Sequence, residues 1–152
     1  MLPTPKKFFL TAANAEGNSK LNAFDNALLK ARIGNVNLLR VSSILPPGCE
    51  YDPELRIPEG SLVPTAYGSI ISDVPGEIIS AAVAIGLSSH AFGVIMEYSG
   101  KCSANEAKAT ITRMVEEAFE VRQMRLIEIK VAAIEHIVER IGCAYAAVPM
   151  WY

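Results

Sequence analysis

Asn35-Val36-Asn37-Leu38-Leu39-Arg40-Val41-Ser42-Ser43-Ile44-Leu45-Pro46-Pro47 reads as a β-strand that runs straight into a serine pair and is then stopped by two prolines. Proline offers no N–H to a ladder and fixes φ, so the extended run ends at this point. A strand that delivers a Ser-Ser bond to a rigid turn holds one hydroxyl close to the preceding carbonyl, the geometry an N→O acyl shift needs. The backbone would then be the raw material of a cofactor. Serine pairs also end many ordinary strands, and these residues taken alone favour that reading.

Working upstream, Lys7 to Ala12 is expected as a first strand, with a polar turn over Asn14 to Ser19. A helix follows with Asn22 as N-cap, because Phe24, Ala27, Leu28 and Ala31 fall at helical spacing and Gly34 stands where a C-terminal stop belongs. Asp25 then falls in the first turn, where an acidic group is favoured by the helix dipole. Downstream, Pro46 to Gly60 carries four prolines and two glycines and reads as a loop. Leu62 to Ser72 reads as a strand and Val74 to Glu77 as a turn. Ile78 to Ile85 is apolar enough for either a buried strand or a short helix, and Phe92 to Tyr98 is a strand ending at Ser99-Gly100. Ser103 and Glu106 form a capping box ahead of a helix whose apolar face is Ala107, Ile111, Met114, Val115, Ala118 and Phe119. Leu126 to Val138 fits both periods, and its β-branched content favours strand. Cys143 to Trp151 closes the chain as a buried strand.

The chain has 152 residues, enough for one domain with a single core and no more. Strand-helix-strand-strand occurs twice in that order, a duplicated β-α-β-β unit. One helix per repeat can cover one face of each sheet, so two sheets packed face to face with helices outside satisfy every apolar surface. The expected class is α+β, a layered sandwich.

Hydrophobic residues make up 51% and charged residues 20%, with a net charge of −2, so the chain carries no basic field for nucleic acid. The positive mean hydropathy in so short a chain suggests apolar surface buried between subunits. Cys49, Cys102 and Cys143 are far apart and odd in number, as expected in a reducing compartment. With only His90 and His136, a multi-histidine metal site is impossible and a Ser-His-Asp triad has little to draw on. Phe8 to Ala12 is too short for a signal peptide and no apolar run approaches a membrane span, so a cytoplasmic protein away from membranes is expected.

Specific runs then carry a resemblance: Leu21-Asn22-Ala23-Phe24-Asp25-Asn26-Ala27-Leu28-Leu29, Gly34 to Leu38, Val41-Ser42-Ser43-Ile44, Leu62 to Gly68, Ile71 to Glu77, Ile95-Met96-Glu97-Tyr98, Gly100 to Ser103, Gly142-Cys143-Ala144 and Trp151-Tyr152. In this order and spacing, over nearly the whole chain, they resemble the archaeal pyruvoyl-dependent arginine decarboxylases. The resemblance implies a four-layer αββα sandwich of two packed, mainly antiparallel sheets with outer helices. It implies homotrimers, or hexamers of stacked trimers, with active sites between subunits. The single domain, residues 1–152, would be cleaved between Ser42 and Ser43 into a β chain, 1–42, and an α chain, 43–152.

The implied cofactor is a pyruvoyl group made from Ser43, with no metal and no pyridoxal phosphate, and the implied reaction converts L-arginine to agmatine and carbon dioxide for polyamine synthesis. Decarboxylation leaves electrons on Cα that no side chain can accept. A pyruvoyl carbonyl condensed with the substrate amine can, as pyridoxal phosphate does elsewhere. The resemblance also assigns Ser42 as the cleavage partner, Asn37 as oxyanion support during processing, Glu97 as proton donor, and Asp25, Leu28 and Ile44 as substrate contacts, with Asp25 on the guanidinium. Read from the residues alone, Asn37 caps a backbone group at a strand edge and Glu97 is a strand-end surface residue. Two alternatives remain open: a non-catalytic trimeric paralogue with a binding or assembly role, and a decarboxylase of another cationic amino acid.

Overall fold

The structure, a computed structural model, describes residues 2–152. Its architecture turns on strand β10 (Gly142–Trp151), which is covered on both sides. Cys143, Tyr145 and Ala147 pack with Ala23, Ala27 and Leu28 of helix α1 (Lys20–Lys30), while Ala144, Ala146 and Val148 pack with Ile79, Ala81, Val83 and Ile85 of strand β7 (Ile78–Leu87). A strand buried on both faces reads as a continuous apolar run. β7 is of the same kind: Ala82 and Ala84 turn the other way, onto Ala107, Ile111 and Val115 of helix α2 (Ala104–Val121). Three apolar layers therefore separate α1, two sheets and α2, which is the expected α+β, αββα sandwich.

The first sheet runs β3 (Asn37–Arg40), β6 (Leu62–Ser72), β10, β1 (Lys7–Phe8), β5 (Glu50–Tyr51), with β2 (Thr11–Glu16) also on β10. The second runs β4 (Ile44–Leu45), β8 (Gly93–Gly100), β7, β9 (Glu128–Ile137). Pairing is antiparallel except between β1 and β5 and between β3 and β6. Each half of the chain lends a strand to the other half's sheet, β4 going to the second and β10 to the first. The β-α-β-β repeat is thus one of element order and does not extend to sheet membership.

Local departures from expectation have identifiable causes. The first strand is split into β1 and β2 although Lys7 opposite Trp151 and Thr11 opposite Ala147 belong to one register. Pro149 faces the gap, accepting from the Phe9 N–H at 3.3 Å but having no N–H to return. Asn14, Ala15 and Glu16, expected in a turn, extend β2. Helix α1 starts earlier than expected, with Ser19 as the N-cap in place of Asn22: Ser19 Oγ accepts from the Asn22 N–H at 3.1 Å and donates to Asn22 Oδ1 at 2.7 Å. Consequently α1 has no acidic residue in its first turn, and Asp25 lies beyond reach of the dipole. The helix ends at Ala31, with Arg32 in the left-handed region (φ 68°). Gly34 has another reason to be glycine, since a Cβ there would lie 2.6 Å from Leu29 Cδ2. Ile78 to Leu87 and Glu128 to Ile137 are both strands, and the Ser103–Glu106 capping box is formed in full.

One end of the sandwich is pinned by Glu16, which reaches from β2 across to the second sheet. Its carboxylate accepts from the backbone N–H groups of Arg140 (2.7 Å), Ile141 (3.1 Å) and Glu139 (3.4 Å) and lies 2.5 Å from His136 Nε2 on β9. No helix among the described residues is long and apolar enough to cross a membrane.

Candidate active site

β3 ends in the first sheet and β4 begins in the second, so Val41-Ser42-Ser43 is a covalent bridge between their edges. Both ends of the bridge are anchored. The Val41 N–H donates to the Thr65 carbonyl on β6 at 3.1 Å, and the Ser43 carbonyl accepts from the Ile95 N–H on β8 at 2.7 Å. The Ser42–Ser43 peptide bond itself belongs to no strand. Ser42 is exposed and Ser43 half-buried, and among the described residues neither hydroxyl makes a side-chain hydrogen bond. Ile44 pairs with Val94 and Leu45 with Gly93. Alternation along β4 carries Ser43 to the side of Leu45, between the sheets, and leaves Ile44 exposed on the α2 side. A shallow apolar groove of about 250 Å³, lined by Pro3, Val41, Ser42, Ile44, Pro64 and Tyr152, passes the serine pair.

Glu97 stands two residues beyond Ile95 on the same face of β8, opposite Val83 of β7. The sheets approach closely here. A Cβ on Gly68 of β6 would lie 3.4 Å from Glu97 Cβ and 3.3 Å from the Tyr98 carbonyl, so a side chain there would fit tightly against β8. Among the described residues the half-buried Glu97 carboxyl has no hydrogen-bond or ion-pair partner. Burial therefore lifts its proton affinity above the ordinary carboxylate value, and the positive charge of Arg40 pulls it partly back. A raised proton affinity is the direction in which a general acid is tuned.

Arg40, near the serine pair along the chain, was not singled out by the sequence. It ends β3, with its guanidinium carbon 4.5 Å from the Tyr67 ring centroid and Nη2 donating to the Tyr67 carbonyl at 3.0 Å. The one available signal was an arginine at the end of an otherwise apolar strand, two residues ahead of the serine pair.

The remaining candidates lie apart. Asn37 is at the far end of β3, where its amide donates to the Gly60 carbonyl at 3.2 Å, a strand-edge contact that leaves Ser42 untouched. Leu28 is buried in the layer between α1 and the first sheet, and Asp25 is exposed on α1. The first sheet stands between both of them and Glu97. Within one chain the fold thus gathers Ser42, Ser43, Ile44 and Glu97 at one edge of the sandwich and leaves Asn37, Asp25 and Leu28 elsewhere. Among the described residues no three His, Cys, Asp or Glu side chains are placed to hold a metal ion.

The family model for pyruvoyl-dependent arginine decarboxylase matches residues 7–152. The pyruvoyl-dependent arginine decarboxylase of Methanocaldococcus jannaschii is 53% identical over 150 residues, covering 97% of this chain and 91% of that protein. Those of Pyrococcus abyssi and Pyrococcus furiosus are 51% and 52% identical over 152 residues, covering 97% of this chain and 96% of theirs. A serine pair bridging two sheets beside an unpartnered, half-buried carboxyl is therefore found in a chain that belongs to the pyruvoyl-dependent arginine decarboxylase family.

Proposed function

We propose that the chain breaks its own backbone between Ser42 and Ser43, makes a pyruvoyl group from Ser43, and with it converts L-arginine to agmatine and carbon dioxide, Glu97 supplying the proton. Decarboxylation of arginine by a pyruvoyl group is the activity in the family's name. The observation that carries the finer reading is the bridge: a Ser-Ser bond outside any strand, fastened on either side to a different sheet, with a free hydroxyl on Ser43.

The residues present suit the making of the group. Ser43 Oγ attacks the Ser42 carbonyl carbon, the C–N bond breaks, and the hydroxyl proton passes to nitrogen, giving an ester. Loss of the Ser43 Cα proton then expels the Ser42 carboxylate and leaves dehydroalanine, which water converts to the keto group with release of ammonia. The Val41 and Ile95 hydrogen bonds hold both new ends in place, so the sandwich survives the cut. Once formed, the group supplies an electron sink for the bond to carbon dioxide. Glu97, two residues along β8 from the strand position that holds the Ser43 carbonyl, delivers the proton to the substrate carbon. Burial raises its proton affinity, the direction a proton donor needs.

Asp25 gives the substrate guanidinium a planar, charged acceptor, and Leu28 and Ile44 flank the carbon stem. Because the first sheet separates Asp25 from Glu97 within one chain, the complete site draws them from neighbouring copies in a homotrimer or hexamer. The exposed Leu39, Ile44 and Leu62 along the sheet edges support such packing. Asn37 supports the oxyanion of processing in the same assembly, exchanging its Gly60 contact for the Ser42 carbonyl. Three free cysteines suit a reducing cytoplasm.

Intact-mass measurement of the purified protein tests the reading. Two chains are expected, of residues 1–42 and 43–152, the second blocked at its N-terminus. A single chain of full mass that decarboxylates arginine would overturn the self-made cofactor.

A further inference from the structure

We propose that Arg40 takes part in the self-cleavage: its guanidinium receives the Ser42 carboxylate as that group leaves Ser43, and so speeds the elimination that completes the pyruvoyl group. The inference rests on the reading of Ser42-Ser43 as the processing site and adds a residue to it. β3 and β6 run parallel with Arg40 opposite Thr65, and the Val41 N–H donates to the Thr65 carbonyl at 3.1 Å. Carried two residues further, that register sets Ser42 opposite Tyr67 and gives the Ser43 N–H the Tyr67 carbonyl as its next acceptor. The chain departs for the second sheet instead. Arg40 takes the acceptor that this leaves free, Nη2 donating to the Tyr67 carbonyl at 3.0 Å with the guanidinium carbon 4.5 Å from the ring centroid. The side chain thus reaches forward along the strand to the level of the Ser42–Ser43 bond. Ser42 is two residues on, about 7 Å along an extended chain, a span that an arginine side chain covers.

Among the described residues Arg40 has no carboxylate partner, and its single hydrogen bond leaves the other N–H groups of the fork free. Arg40 and Ser42 are both exposed, so an anion formed at Ser42 can meet the guanidinium without being buried. The two steps of processing differ in what they ask of a cation. In the N→O shift Ser43 Oγ replaces the nitrogen on the Ser42 carbonyl carbon, and no negative charge persists there in the ester. In the elimination the Ser43 Cα proton is removed, a double bond forms between Cα and Cβ, and the Cβ–Oγ bond breaks with its electron pair left on the Ser42 carboxylate. A lasting negative charge at position 42 therefore arises only in the second step. A planar fork of N–H donors matches a carboxylate in shape as well as charge. The same pairing then holds the new end of the 1–42 chain at the edge of the first sheet, clear of the group on residue 43.

The test is maturation of the full chain, followed by mass and by denaturing gel with and without hydroxylamine, which cleaves an ester and leaves an amide. Wild-type protein should mature to a 43–152 chain blocked by pyruvoyl. Arg40→Gln should form the ester and then stall, with pyruvoyl formation slowed about 10-fold, the worth of one charge-assisted hydrogen bond. Hydroxylamine should split its stalled fraction into a 1–42 hydroxamate and a 43–152 chain that begins with serine. Arg40→Lys, which keeps the charge, should restore most of the rate. A merely structural Arg40 predicts a lower melting temperature and slow maturation with no hydroxylamine-sensitive species, and that result overturns the proposal. Should Arg40→Gln not fold, a crystal structure of the processed wild-type protein decides: a Ser42 carboxylate within hydrogen-bond distance of Arg40 supports the proposal, and one directed elsewhere overturns it. If the wild type itself is never cut, the self-cleavage reading has failed; if the wild type matures and Arg40→Gln keeps pace with it, only the inference about Arg40 has failed.

Discussion

Glu16 and Glu97 both point into the space between the two sheets, and they are treated in opposite ways. Burial would raise the proton affinity of Glu16, but the His136 ring and the N–H groups of Arg140, Glu139 and Ile141 more than reverse this, and its carboxyl is held below the ordinary range. Glu97 has none of these partners. Burial leads, only the Arg40 charge opposes it, and its carboxyl is pushed up. The clamping carboxylate is surrounded by donors that favour its charged form, whereas the half-buried one has no partner to offset burial. The same type of residue, in the same interlayer space, is therefore made more acidic in one place and less acidic in the other by its surroundings.

The contrast breaks most completely if the reaction is removed from Glu97 altogether. Ser43→Ala has no oxygen to form the ester and should remain a single folded chain, with carbon dioxide release from arginine at the uncatalysed background. A denaturing gel and a release assay decide it, and two fragments from this variant would eliminate the mechanism. Glu97→Gln comes next. It should still be cut, because Glu97 acts after cleavage, yet lose turnover on the order of 10²-fold, the usual worth of a general acid. Near-normal turnover in a fully processed Gln variant would move the proton donor elsewhere and leave the raised carboxyl without a task.

Asp25→Asn sharpens the comparison with a third carboxylate, one that is neither clamped nor buried. An amide copies the shape of the guanidinium acceptor but not its charge, so kcat/KM for arginine should fall by about 1.5–3 kcal/mol. Cleavage and melting temperature should be unchanged. The structure narrows the alternative, since α1 starts at Ser19 and leaves Asp25 outside the first turn, where a dipole role would belong. A variant that melts earlier and decarboxylates arginine normally would return Asp25 to a stability role.

The fold was legible wherever its cause was local. The Ser103–Glu106 capping box and the apolar spacing of α2 are contained in the sequence that forms them, and both stand as read. β7 and β10 were harder because burial on both faces erases the alternation that marks a strand, which is why Ile78 to Ile85 also allowed a helix. The split between β1 and β2 was not readable at all, being imposed by Pro149 from the far end of the chain. Within the site, the serine pair stood out by its position between a strand and two prolines, but its reading as a processing site came from the resemblance. Glu97 did not: its identity as more than a strand-end residue came from the resemblance, and its physical distinction, burial without a partner, exists only once Gly68 has brought the sheets together. Arg40 escaped because its contacts, with the ring and carbonyl of Tyr67, cross from β3 to β6. The Glu16 clamp joins residues 120 apart, and no pattern along the chain reports it.

Glu16→Gln should give the smallest effect on activity and the clearest on stability. Glutamine keeps one carbonyl oxygen, so it can accept from part of the set of N–H groups, but it loses the charge and the second oxygen. The charge-assisted bonds lost are worth roughly 1–3 kcal/mol, seen as a lower melting temperature with cleavage and turnover retained. The sign with pH follows from the direction of the shift. A carboxyl whose proton affinity is lowered by folding adds stability that is present above its unfolded value and is lost as pH falls through its lower folded value. The wild-type and Gln proteins should therefore differ in melting temperature at neutral pH and converge in acid. A gap that stays constant down to strongly acidic pH would mean that the bonds from Arg140 and Ile141 matter only as shape. Loss of turnover without loss of stability would mean that the two carboxylates are not divided between clamp and acid as their surroundings indicate.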